Sequence, residues 1–363
     1  MMDRPMTRVM MVGSAERSSG GIASAIRSMK SMPFWKMHDC YWLGTQIQGS
    51  KLEKLRQAIG SYIIASFKIW RYDVIHFHTV ADLICLVVQL PVFLLAVLGH
   101  KKIIMHIHMG NQIGDHTEDR LFNWCLKQSD CVIVLSEMWK RKFNEEWFPN
   151  LRVPVHVIYN TCPVNNDIKY EGREKTILFA GYMNKNKAYD LMLRAYSEVE
   201  KEHPDWSLMM LGNGDVQGAE NYARHLGLDT SSSEDWERKR IRKKVTFTGY
   251  VVGQEKAKIF ESASIYCLCS YQEGFPVVVL EAWGYGIPVV TTPVGGLPDV
   301  IIEGKNAVTF PFGDHKKLAE TICKLIDNNE MRSEMSKFSK SYVQRHFSPS
   351  VINDTIETIY SSL

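Results

Sequence analysis

The 363-residue chain has no Asp-x-Asp, a carboxylate pair that commonly holds a divalent ion on a diphosphate. Its eight cysteines form no Cys-x-x-Cys pair and no zinc-type spacing. They read as reduced thiols of a cytosolic protein, with Cys267 and Cys269 inside an apolar strand as core. Neither charge sign is in real excess: 43 Lys and Arg against 40 Asp and Glu leave +3, too little for nucleic acid. Val9–Gly13 is too short an apolar run for a signal-peptide core and reads as a first strand. The long apolar stretch Leu83–Gly99 is interrupted by Gln89 and Pro91 and lies between the strand-like runs DVIHFH and KKIIMHIH. It predicts a buried crossover helix, not a membrane span. The glycines after the first strand, Ser19-Gly20-Gly21-Ile22, are not Gly-x-Gly-x-x-Gly, and no ribose-binding acid follows them, which disfavours a dehydrogenase. Internal repeats and low-complexity tracts are also missing.

What is present is ordinary globular composition, 45% hydrophobic and 23% charged, at a length that favours two domains. Strand-like runs alternate with helical patterns at 8–12, 74–77, 103–107, 131–135 and 155–158. The rhythm resumes at 176–179, 207–211, 245–248, 264–268, 288–291 and 307–310. Such alternation predicts two parallel sheets with right-handed crossovers. The joint is expected in the polar stretch 160–175, around Pro163, Asn165, Asn166 and Gly172; separately, an exposed loop is expected around 230–234 and a terminal helix after Ser348-Pro349.

The densest signal is Tyr-Gln-Glu-Gly-Phe-Pro-Val-Val-Val-Leu-Glu, residues 271–281. An apolar strand from Ile265 runs into a tight Gly274-Phe275-Pro276 turn, and a helix is expected from about Pro276. Glu273 then sits at the carboxyl end of a parallel strand, where open α/β sheets bind ligands. The helix N-terminus behind it suits phosphate. Glu281 is expected about two helical turns further on, facing the same way. Two such carboxylates can hold the hydroxyls of a nucleotide sugar. A cap for Glu273 and a surface position for Glu281 are the alternatives.

This block, followed by Gly295-Gly296-Leu297-Pro298, resembles the family-4 retaining glycosyltransferases, as do FAGYMNKNKAYDLML, LMMLGNGD and VTFTGYV. Looser matches in the first half are SSGGIASAI, DVIHFH, MHIHMGN, VIVLS and VIYN. The resemblance implies the GT-B architecture, α/β with two facing Rossmann-like domains, each a parallel sheet flanked by helices. It places residues 1–163 on the acceptor side and 164–346 on the donor side, with 347–363 as a helix packing back on the first domain. Glu273 would bond hydroxyls of the transferred sugar and Glu281 the ribose. Gly274, Phe275, Pro276 and Val277 would lie at the phosphates, with Gly295 and Gly296 beside the donor and Tyr250 in the loop near the base. Gly20 and Gly21 would border sugar and acceptor. His108 would contact the donor sugar across the cleft.

In Gly181-Tyr182-Met183-Asn184-Lys185-Asn186-Lys187-Ala188, Lys187 matches the family's lysine. Tyr182 stands where the family usually has arginine and Ala188 where it has glycine, so one bidentate phosphate grip is lost. Lys187 would neutralise the leaving diphosphate, with Lys185 as a substitute second cation. A solvated loop is the plain alternative for both lysines. The resemblance further implies transfer on one face of the sugar without a covalent intermediate, no metal and no cofactor. Lysine and helix N-termini would supply the positive potential.

His76, His78, His106 and His108 end two strands. Four histidines suggest a metal, but the two strands need not be neighbours and no acidic cluster accompanies them. Hydrogen-bonded core or cleft-wall roles are preferred for the first three. Lys51–Arg71 mixes Lys51, Lys54, Arg56, Lys68 and Arg71 with Ile63, Ile64, Phe67, Ile69 and Trp70, and Met29–Trp35 adds Lys30, Phe34 and Trp35. An anionic membrane surface and simple packing on the sheet both fit. The expected activity is transfer from a nucleotide-diphosphate sugar, with UDP favoured, to a glycan or lipid-linked glycan in surface polysaccharide synthesis. The expected location is cytoplasmic, peripheral on the inner face of the membrane. A nucleotide-sugar epimerase or hydrolase and an inert nucleotide-sugar-binding protein are the rivals.

Overall fold

Runs such as Val-Met-Met-Val and Thr-Ile-Leu-Phe-Ala have no polar alternation, which suits strands covered on both faces. In the computed structural model, which describes residues 7–18, 20–162, 164, 170–232, 236 and 243–363, these runs build two parallel sheets. Two compact units result, one comprising the residues up to Thr161 together with Pro349–Leu363, the other Cys162–Ser348.

The first unit holds β1 (Val9–Ser14), β2 (Tyr41–Gln46), β3 (Val74–Thr79), β4 (Lys102–Ile107), β5 (Cys131–Val134) and β6 (Val155–Val157). Their order is β2-β1-β3-β4-β5-β6, all parallel. Its helices are α1 (Gly21–Lys30), α2 (Pro33–Met37), α3 (Lys51–Lys68), α4 (Leu83–Leu98), α5 (Arg120–Gln128) and α6 (Glu137–Lys142). The second holds β7 (Thr176–Ala180), β8 (Ser207–Leu211), β9 (Thr230–Ser231), β10 (Val245–Gly249), β11 (Ile265–Leu268), β12 (Val289–Thr291) and β13 (Ala307–Thr309). The order is β13-β12-β11-β7-β8-β10-β9, again parallel. Its helices are α7 (Tyr189–Glu202), α8 (Val216–His225), α9 (Gly253–Ser262), α10 (Val277–Gly284), α11 (His315–Asp327) and α12 (Asn329–His346). The last helix, α13 (Pro349–Ser362), belongs to the first unit and buries Ile352, Ile356, Ile359 and Tyr360 with Val9, Met11, Ile104 and Ile133.

In both sheets the chain leaves its first strand to one side and returns on the other. The reversal lies between β1 and β3 in the first unit and between β7 and β11 in the second. Loops that follow such a strand pair diverge and leave a crevice.

Several expectations change. β2 is a strand that its Gly44 and Gln46 disguise, and Thr230–Ser231 pairs with β10 instead of lying in a loop. Pro163, Asn165, Asn166 and Glu234 lie outside the described residues. α4 is the crossover between β3 and β4, yet only its inner face is buried, through Leu86, Gln89, Val92, Phe93 and Ala96. Leu83, Ile84, Val87, Leu94 and Leu98 are exposed. Among the described residues no helix is long and apolar enough to cross a membrane. Phe34 is fully buried, with its backbone N–H donating to Asn353 Oδ1 at 2.9 Å, and Trp35 is partly buried against the same core, so this segment offers little aromatic surface.

Candidate active site

The crevice between β7 and β11 collects the acidic and basic side chains singled out from the sequence. The two loops are zipped by their backbones. Tyr271 N–H donates to Asn186 O at 2.8 Å, and Asn186 Nδ2 donates to Gln272 O at 2.9 Å. Lys187 N–H donates to Asn184 Oδ1 at 2.9 Å, which turns the chain into α7 through Ala188. Ala188 has φ +50°. That left-handed conformation favours glycine, which gives a backbone reason for the glycine usual at this position in the resembling family. The fold thus brings the Lys187 ammonium onto Glu273 Oε1, in an ion pair whose side chains are only 20% and 14% exposed.

Phe275 anchors the turn by burying its ring against Phe347, 5.9 Å away, and so faces the core and not a ligand. Pro276 caps α10 and Val277 is its first residue, one position later than expected. Residues 273–276 are therefore turn, and Glu281 stands one helical turn into α10 instead of two. Glu281 Oε1 accepts from Lys256 Nζ at 2.6 Å, while its Oε2 is buried with no hydrogen-bond partner. Leaving such an atom unpaired costs about 1–3 kcal/mol. Both carboxylates act on one buried phenol. Burial first, then Glu273 and Glu281, hold Tyr266 well above its ordinary range, and its hydroxyl donates to Ala180 O at 3.1 Å.

Gly295, at φ +62°, lies so close to this turn that an added Cβ would fall 2.7 Å from Glu273 O and 2.8 Å from Gly274 O. Gly296 N–H donates to Gly274 O at 2.9 Å. The glycine pair expected to admit a ligand is thus used, at Gly295, by the neighbouring turn itself. Lys185 is exposed, and Tyr182 and Tyr250 are 58% and 56% exposed. Lys256 was not foreseen. It lies 25 residues before Glu281 on another helix, and no local pattern links the two.

In the first unit, Gly20 and Gly21 open α1, and a Cβ at either would meet nothing within 4 Å, so packing does not demand glycine there. Ser19 lies outside the described residues. β3 and β4 are neighbours, with His78 directly opposite His106, so four histidines share one sheet face. Their rings form a column with neighbouring centroids 4.2–5.1 Å apart. His78 Nδ1 is 2.8 Å from His108 Nε2, and His76 Nδ1 is 2.8 Å from the Tyr360 hydroxyl. Neither nitrogen of His106 has a partner, so the hydrogen-bonded role expected for it does not hold. Burial pulls His76 and His108 down to about 3, and His78 and His106 well below the ordinary range, so all four are neutral at pH 7. Nitrogens of His76, His78 and His106 lie within 4.8 Å of one another, a spacing open to a metal ion. Their ring planes, however, are 17–37° apart, so the lone pairs run side by side and do not converge, and among the described residues no carboxylate joins the group.

Ammonium groups beside carboxylates, at a helix N-terminus in a strand-end crevice, suit a ligand that is both anionic and rich in hydroxyls. Spore coat protein SA of Bacillus subtilis is 28% identical over 192 residues, 52% of this chain and 48% of that one. D-inositol 3-phosphate glycosyltransferase of Corynebacterium aurimucosum is 28% identical over 194 residues, 52% of this chain and 43% of that one. The chain spans about half the length of the curated relatives it matches. The crystal structure of Anabaena Alr3699/HepE in complex with UDP and glucose shares the fold, with a TM-score of 0.70 at 15% identity, over 98% of this chain and 100% of that one. Residues 16–165 match the family model for Glycosyltransferase Family 4 and residues 165–342 that for Glycosyl transferases group 1. With the two matches running in tandem through two parallel-sheet units, the chain belongs to the group 1 glycosyltransferases of GT-B fold.

Proposed function

We propose that the protein is a retaining glycosyltransferase, independent of metal, that moves a sugar from a UDP-sugar to a glycan or lipid-linked glycan in surface polysaccharide synthesis. The observation that carries this reading is Glu281, with one carboxylate oxygen held by Lys256 and the other buried and unpaired, on the helix that starts at the Lys187–Glu273 pair. A ribose hydroxyl donating to Glu281 Oε2 satisfies that atom. The diphosphate takes the Lys187 ammonium and the N–H groups at the start of α10, from Val277 onward, with Lys185 as a second cation. Glu273, released from Lys187, accepts from hydroxyls of the transferred sugar. Before the donor arrives, the ion pair keeps both charges compensated.

Tyr250 borders the base, and Gly274 and Gly296 line the donor; in the first unit, Gly20, Gly21 and His108 would meet sugar and acceptor. In the chemical step the bond from the anomeric carbon to the phosphate oxygen breaks. The acceptor oxygen bonds on the same face, and its proton passes to the departing phosphate oxygen. The protein's part is orientation and charge stabilisation. A neutral His108 acts as a hydrogen-bonding group, not as an acid. The work would be cytoplasmic, at the inner face of a membrane. UDP bound to the structurally similar Anabaena protein supports the choice of nucleotide. Tyr182, where arginine is usual, favours the rival reading of an inert binder.

Two experiments test the proposal. Thermal shifts against UDP-, GDP- and ADP-sugars should show stabilisation by the UDP series. Proton NMR of the product should show the donor's anomeric configuration kept. Donor binding with no transfer to any acceptor, no release of free nucleotide and no change in the sugar would leave only the inert binder.

A further inference from the structure

The helix α3 is inside out. The residues it turns to the sheet are small, Ala58, Ser61 and Ala65, all buried. Its large apolar residues Leu52, Leu55, Ile59, Ile63 and Phe67, with Trp70 in the turn that follows, are exposed and recur at three- and four-residue steps. That spacing puts them on one stripe facing away from the sheet. Phe67 is 78% exposed. α4 packs beside α3, with the Tyr62 hydroxyl donating to Val88 O at 2.9 Å, and it repeats the pattern with Ile84, Val87, Leu94 and Leu98. Among the described residues, twelve of the nineteen exposed large hydrophobics lie on these two helices and the turn after α3. Together they expose on the order of 1,000 Å² of apolar surface, beyond the ~300–600 Å² of the largest patch on an ordinary monomer.

We propose that the outward face of α3 and α4 seats the protein on the surface of an anionic lipid bilayer. This rests on the membrane location in the proposed function and gives it a physical site, while its observations are independent of the donor site. Charge selects the occupant. Lys51, Arg56 and Arg71 flank the stripe, Lys54 and Lys68 lie on the other side of the helix in line with Ala58, Ser61 and Ala65, with the Lys68 ammonium 3.9 Å from the Tyr41 ring, and the single acid of α3, Glu53, is bound into its own capping box by Ser50. α4 has no charged residue. A second copy docked on this face about a two-fold axis would set these three cations against the same three with almost no acid to meet them. A bilayer with anionic headgroups supplies the opposite charge together with an apolar layer, and Trp70 sits at the stripe's end, as aromatics do at membrane interfaces. A cavity of about 350 Å³ lies between α3 and the ends of β1 and β2, lined by Glu16, Arg17, Trp42, Gln57, Ser61 and Ile64 among others. The helices lie in the interface and do not cross it.

Co-sedimentation of the full chain tests this, with vesicles of phosphatidylcholine alone and vesicles that also contain phosphatidylglycerol. The chain should pellet with the second, less so as salt rises, and the variant F67S/I84S/L98S should partition at least about tenfold less. Unchanged melting and unchanged transfer to a soluble acceptor would show that the variant is folded, since none of the three residues belongs to the donor site. Equal pelleting of variant and wild type would overturn the proposal, as would a wild type that stays in the supernatant at low salt. A dimer in solution that the variant splits would also overturn it, because the occupant would then be a second copy.

Discussion

Lys187→Met isolates the ion pair on which the donor site is built. The two side chains are 20% and 14% exposed, between the surface pairs worth about 0.2–1 kcal/mol and the fully buried pairs whose breakage costs about 3–5 kcal/mol. Leaving Glu273 uncompensated should therefore destabilise the second unit by about 1–3 kcal/mol. For a unit of this size that lowers its melting temperature by roughly 4–8 °C at the middle of the range. Replacing Glu273 by Gln in the same chain removes the stranded charge, so the double variant should be more stable than Lys187→Met alone. The coupling energy of the cycle should come out at about 1 kcal/mol or more. Urea titration of the four proteins measures it. Calorimetry with UDP adds the functional half. Loss of a charge-assisted phosphate contact, about 1.5–3 kcal/mol, should weaken UDP by roughly 10- to 150-fold in Lys187→Met. In Glu273→Gln, by contrast, Lys187 is freed from a competing carboxylate, and UDP should bind at least as tightly as to the wild type while turnover collapses. Additive stabilities together with unchanged UDP affinity in Lys187→Met would refute the reasoning.

Glu281→Gln should weaken UDP about tenfold and deoxyribose UDP hardly at all, since the ribose hydroxyl is the partner assigned to Oε2; equal losses in calorimetry would remove that assignment. Gly295→Ala should cost about 2–3 kcal/mol, because its left-handed backbone and the two carbonyl oxygens near the new Cβ leave no room, and a melting curve like that of the wild type would deny the strain. The histidine column should make the first unit acid-labile. Its rings are neutral in the fold, with His76 and His108 held down to about 3 against an ordinary 6.5, so the unfolded chain takes up protons that the folded one does not. Stability is then full above pH 6.5 and falls as pH drops toward about 3, by up to about 1.4 kcal/mol per pH unit for each ring. Urea midpoints against pH should flatten in His106→Leu, and an unaltered acid limb would contradict the account.

The strands were legible because parallel strands covered on both faces must be continuous apolar runs, as in Thr176–Ala180 and Ile265–Leu268. β2 was not, since an edge strand carrying Trp42, Gly44 and Gln46 has no such run. Pairing order is a long-range property, and for that reason the meeting of His78 with His106 could not be read from either strand. Glu273, Lys187 and Glu281 were legible as a spacing around a turn. Lys256 was not, because its contact with Glu281 depends on how α9 packs beside α10. Periodicity also misleads for α3. It reports an apolar stripe but not its direction, and here the small residues Ala58, Ser61 and Ala65 take the inner face.

The most direct test is a crystal structure with a UDP-sugar bound. It should show the diphosphate against Lys187 and the start of α10, a ribose hydroxyl within hydrogen-bond distance of Glu281 Oε2, and the sugar hydroxyls on Glu273. A nucleotide held elsewhere, with the Lys187–Glu273 pair still closed and Glu281 Oε2 still without a partner, would contradict the account.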